Sequence, residues 1–188
     1  MTRRGIIIPP RTPIFLGCEG ESEQAYGQFL NDAVRETRLP FHIEVVNLNP
    51  GAGDPLARIK RAHQEVMRRR NRRAEFRFKT VLMDSDQIEN DQQRRQQVEA
   101  WAAIHGISII WQRPCHEAFL LRHFEGYLSH NPATPALART ALLGVWPEYK
   151  KPMTSLQVSR KISMAGVRRV ANNDAALETF LRRVRLIA

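Results

Sequence analysis

The chain has 188 residues, 43% of them hydrophobic and 26% charged, with 29 Lys+Arg against 19 Asp+Glu and a formal net charge of +10. That balance excludes a disordered tail, no apolar run reaches the ~18 residues needed to span a bilayer, and two cysteines are too few for a disulfide framework or a cysteine-based zinc site. The expectation is a soluble, cytoplasmic protein with an anionic partner, because arginine outnumbers lysine 24 to five and planar guanidinium groups suit phosphate and carboxylate. Nucleic acid is the first partner to consider; an acidic protein surface is the rival, and arginine enrichment can also reflect base composition of the genome.

In chain order, residues 1–10 read as a flexible N-terminal arm, and 11–188 as a single domain. Thr12–Cys18 is short and apolar, as a buried strand should be. Ser22–Glu36 is helical, with Tyr26, Phe29, Leu30, Ala33 and Val34 on one face. Phe41–Leu48 is a second strand. After the loop that opens with Asn49 and Pro50, Asp54 reads as an N-cap with Pro55 at the first helical position, opening a helix to about Arg70. Phe78–Met83 is a third strand, Glu89–His105 a polar helix and Ile107–Trp111 a fourth strand. Pro114–Leu128 reads as one apolar helix and Leu137–Val145 as a shorter one. Lys150–Val170 carries no clear periodicity, and Asp174–Ile187 is helical. Strands alternating with helices imply βαβ units: an α/β fold with a mostly parallel, Rossmann-like sheet of four strands and additional C-terminal helices.

Ligands of open parallel sheets bind beyond the carboxyl ends of the strands. After the first strand comes Glu19-Gly20-Glu21-Ser22-Glu23, and after the third Asp84-Ser85-Asp86. If these strands are neighbours, their carboxylates repel one another unless cations fill the site, and an all-oxygen site suits Mg²⁺ or Mn²⁺. Each segment also fits a plain role in turn formation and helix capping, and the two roles are compatible. Glu117, if helical, shares a face with Leu121, Phe124 and Leu128, where a carboxylate is costly without a partner; an ion pair with an arginine is the structural alternative to a metal role. The His116-Glu117 pair is not a zinc-protease motif, since position 120 is leucine. Cys18, Cys115 and His63 read as packing residues.

CEGESE at 18–23, the Asp-x-Asp at 84–86 and PCHEAFLLRHFE at 114–125 together resemble the RloB-like family. More broadly, the glutamate after one strand and Asp-x-Asp after another are similar to the Toprim domain of topoisomerases, bacterial primases and nucleases of the overcoming-lysogenization-defect type. Arg113 stands where the family pattern has asparagine, and His116 and Arg122 interrupt positions that are usually more apolar. The resemblance implies a Toprim-like fold and a metal-dependent nuclease. Asp84 and Asp86 would ligate one metal, Glu23 and Glu117 would complete that site or hold a second ion, and Glu19 would act as ligand or acid/base group. It implies a basic residue near the transferred phosphate, for which Lys150, Lys151 and Lys161 are candidates. It also implies an effector of bacterial anti-phage defence, with a separate ATPase subunit as partner; this chain has no GxxxxGK[ST] loop of its own. DNA and RNA, including tRNA, stay open as substrates, as does a homo-oligomer.

The basic stretch 68–73 ends a helix, where cations complement the dipole. Arg68, Arg69, Arg72 and Arg73 there, and Arg160 and Lys161 further on, are the candidate phosphate contacts. The alternative to an enzyme is a non-catalytic regulatory subunit that keeps the fold and binds nucleic acid or protein through these arginines.

Overall fold

A computed structural model describes residues 10–48, 53–70 and 75–188; residues 1–9 of the expected N-terminal arm and Arg72 and Arg73 lie outside these. Its elements in order are β1 (Thr12–Cys18), α1 (Glu21–Glu36), β2 (Phe41–Asn47), α2 (Pro55–Arg70), β3 (Lys79–Asp84), α3 (Gln92–Ile104), β4 (Ser108–Gln112), α4 (His116–Leu121), α5 (Pro135–Val145), α6 (Ser155–Ser159), α7 (Met164–Ala171) and α8 (Ala175–Arg183). The four strands form one sheet in the order β2-β1-β3-β4, and every pairing is parallel. The α/β, Rossmann-like expectation therefore holds, with no antiparallel strand among the described residues.

Side chains of a strand alternate between faces, and here both faces are covered. Ile14, Leu16 and Cys18 of β1 join Ile43, Leu82 and Ile110 in a core built with α1 and the C-terminal helices. Phe15, Val81 and Met83 point the other way, into a smaller core with α2 and α3. Gly17 falls on this second face, and a Cβ there would come within 2.9 Å of Leu48 Cδ1, so the strand needs glycine to let Leu48 cross beneath it. Asp54 caps α2 as expected, its carboxylate accepting the Ala57 N–H at 3.1 Å. α3 begins later than its periodicity suggests, because Asp91 provides the cap, accepting the Arg94 N–H at 2.9 Å, while residues 86–90 form turns.

Two segments depart from the sequence reading. The apolar helix expected over 114–128 lasts only from His116 to Leu121. The cause is His123. Its backbone N–H turns to Leu120 O at 3.1 Å, while its ring Nδ1 bonds Phe119 O at 2.9 Å, the carbonyl a continuing helix would have used. The ring Nε2 then accepts from the Tyr26 hydroxyl at 2.9 Å, which ties this turn to α1. The region without clear periodicity holds two short helices, each with its own cap. Thr154 and Gln157 form a capping box on α6, and Ser163 accepts the Gly166 N–H at 3.1 Å on α7. Helices of five and eight residues are too short for a 3.6-residue period to show. No helix among the described residues is long and apolar enough to cross a membrane.

Candidate functional site

Because β1 and β3 are adjacent, the turns that follow them meet at one end of the sheet. The β4–α4 turn is drawn in as well. Ser85 and Asp86 donate their N–H groups to Pro114 O at 3.1 and 3.0 Å, which locks the Asp-x-Asp turn to the segment carrying Glu117. Glu23 reaches the same place from the first turn of α1. A Cβ on Gly20 would stand 3.1 Å from Glu23 Oε2, so the missing side chain gives that carboxylate its space. Glu23 and Glu117 are only 4% and 6% exposed, unusual values for carboxylates.

Asp84 is the centre of this group. Burial, then Glu23, Asp86 and Glu117 in that order, push its carboxyl from the ordinary 3.8 up to about 8, opposed by Lys151. Its Oδ1 is buried with no hydrogen-bond partner among the described residues. Glu117 goes the opposite way. Burial would raise it, but Lys151 Nζ at 2.7 Å from Oε1 outweighs that and holds it below the usual carboxylate range. The Tyr149 hydroxyl donates to the same oxygen at 3.2 Å. The partner of Glu117 is thus a lysine, where the sequence suggested an arginine. Of the three candidate lysines, Lys151 meets the carboxylates. Lys150 and Lys161 line a pocket of about 230 Å³ with Arg160, Trp146, Met153 and Gln157, and Lys161 pairs with Glu148 at 3.0 Å.

Glu19 stands at the rim. Its Oε2 accepts the Asp84 N–H at 3.0 Å, and its Oε1 forms an ion pair with Arg58 of α2. Arg58, 11% exposed, was not singled out from the sequence. Burial lowers its pKa, and the charges of Asp84 and Asp86 act to raise it, so it belongs to the acidic centre. Its signal is weak in the sequence: one arginine of many, in the first turns of a helix. Arg68 and Arg69, by contrast, are engaged at the far end of that helix, both bonding Glu65 and Arg69 also bonding Glu44.

The donors fit a hard divalent cation, being oxygen throughout, and Asp84 Oδ1 is an acceptor with no hydrogen-bond partner among the described residues. The shell is not preassembled: among the described residues no three His, Cys, Asp or Glu side chains are grouped to hold a metal ion. Glu19 and Glu117 are instead committed to Arg58 and Lys151. Cys18 and Cys115 are buried, and burial pushes both thiols up, that of Cys115 to about 12, as packing residues rather than nucleophiles. His63 is half-buried against His105 and Trp101, also as packing.

A family model described as "RloB-like protein" matches residues 14–179. No curated protein and no solved structure matches the chain.

Proposed function

Since the chain belongs to the RloB-like protein family, we propose that it is a metal-dependent nuclease, hydrolysing phosphodiester bonds of DNA or RNA with Mg²⁺ or Mn²⁺. The observation that carries this reading is Asp84: a carboxyl group at a strand end, pressed among Glu23, Asp86 and Glu117, which with burial outweigh Lys151 and push its pKa up to about 8. A cluster of this kind costs folding energy unless a cation offsets its charge.

Asp84 and Asp86 would hold one ion, with Glu23 and Glu117 completing its shell or holding a second. Such an ion supplies charge neutralisation at the phosphate and a more acidic bound water. The remaining work falls to this chain's own groups. Glu19, held by the Asp84 N–H, takes the proton as water adds to phosphorus and returns it to the leaving oxygen as the P–O bond breaks. Lys151 keeps Glu117 ionised and offers an ammonium to the negative charge that develops on the phosphate. Lys150, Arg160 and Lys161 would hold phosphates further along the strand. The family resemblance supports an effector in anti-phage defence restrained by a separate ATPase subunit.

The test is incubation of the purified protein with plasmid, single-stranded DNA and tRNA in Mg²⁺ or Mn²⁺, beside Asp84→Ala. Cleavage is expected to need the metal and to fall by about two orders of magnitude or more in the variant. Cleavage that survives Asp84→Ala would sink the proposal.

A second reading has its own support. The Glu19–Arg58 and Glu117–Lys151 pairs satisfy part of the acidic centre internally, as in a non-catalytic regulatory subunit that binds through its arginines. In that case binding of nucleic acid is steeply salt-dependent but indifferent to Asp84→Ala and Glu19→Ala.

A further inference from the structure

We propose that Arg58 is a built-in counter-ion of the acidic centre, which a divalent cation has to displace and which an incoming phosphate draws away. This rests on the metal-site reading above. Three observations carry it. Arg58 is almost buried, and a guanidinium is costly to desolvate unless its charge is used. Its ion-pair partner is Glu19, whose other oxygen already caps the end of β3 at Asp84. The charges of Asp84 and Asp86 act on it too, so one cation serves carboxylates from both strand-end turns. α2 itself fixes the position: the Asp54 cap and Pro55 start the helix, and Arg58 N–H bonds Asp54 O at 3.1 Å within that first turn.

A linkage follows from the geometry. While Arg58 holds Glu19, a metal ion must compete with it for an oxygen ligand and bear the repulsion of a fixed positive charge. A phosphate that pairs with the planar guanidinium releases Glu19, so phosphate and metal strengthen each other's binding. The site then stays poorly metallated until nucleic acid arrives, a useful property in a nuclease whose activity has to be restrained. Lys151 is the counter-ion on the opposite side, paired with Glu117 and acted on by the charges of Glu23 and Asp84, but it is half exposed, whereas Arg58 is almost enclosed.

Calorimetric titration of Mn²⁺ into the full chain, wild type against Arg58→Met, tests this. The variant is expected to bind Mn²⁺ about five- to tenfold tighter. A phosphorothioate oligonucleotide should enhance Mn²⁺ binding in the wild type and lose that effect in the variant. Equal Mn²⁺ affinities, or weaker binding by the variant, overturn the role of Arg58 and leave the metal site standing. Absence of Mn²⁺ heat in both proteins overturns the metal reading together with this inference. If Arg58→Met does not fold, modification of wild-type Arg58 by phenylglyoxal, followed by mass spectrometry, decides: its rate should rise when Mn²⁺ is added, and an unchanged or slower rate overturns the proposal.

Discussion

At Asp84, burial and neighbouring charge act in one direction, and this has a consequence for stability. In the unfolded chain the carboxyl ionises near its ordinary 3.8, whereas in the folded, ion-free protein it stays protonated up to about 8. Between those values unfolding releases a proton, so Asp84 costs nothing below the lower value, an increasing amount as pH rises, and a constant amount above the upper one. Asp84→Asn removes that slope. In EDTA, wild-type Tm should fall relative to the variant between about pH 5 and about pH 8, by the equivalent of a few kcal/mol at most. Parallel Tm curves would show that the carboxylate cluster does not strain the fold. The five carboxylates Glu19, Glu23, Asp84, Asp86 and Glu117 were legible in the sequence because each sits in a short motif beside a strand or helix start. Arg58 was not, because its role comes from the adjacency of β1 and β3.

At the scale of elements, strands and their turns were easier to read than the C-terminal helices. A strand buried on both sides leaves an unbroken apolar run, as in Thr12–Cys18, whose limits the structure reproduces. The end of α4 is decided by one side chain, His123, bonding back to a carbonyl, which hydrophobic spacing cannot reveal. α7 then rests directly on that turn. Arg169 donates to His123 O at 2.8 Å, and a Cβ on Gly166 would come within 2.7 Å of the same oxygen. That neighbour is backbone and cannot rotate aside. Gly166→Ala should therefore destabilise the protein by about 1–3 kcal/mol, seen as a lower denaturation midpoint, despite alanine's better helix propensity. An unchanged or higher midpoint would mean that α7 docks less tightly than its contacts imply. The same turn carries the Tyr26–His123 bond, so a loss here should loosen the packing of α1, which carries Glu23.

Over the whole molecule, a net charge of +10 surrounds a centre where carboxylates converge. The centre is assembled from five segments far apart in the chain: Glu19 and Glu23 after β1, Asp84 and Asp86 at the end of β3, Glu117 after β4, Arg58 from α2 and Lys151 from the segment before α6. Two divalent ions would offset four negative charges there, adding to the positive net charge available to a polyanionic substrate. The order of the strands, on which this assembly depends, is a tertiary property that strand–helix alternation does not encode. The sharpest check is anomalous diffraction from crystals of the full chain grown with a phosphorothioate oligonucleotide and soaked in Mn²⁺. A manganese peak is expected among Asp84, Asp86, Glu23 and Glu117, with Glu19 withdrawn from Arg58, and no peak in Asp84→Ala crystals. Wild-type crystals with the Glu19–Arg58 and Glu117–Lys151 pairs intact and no manganese between these carboxylates would contradict a metal-dependent nuclease.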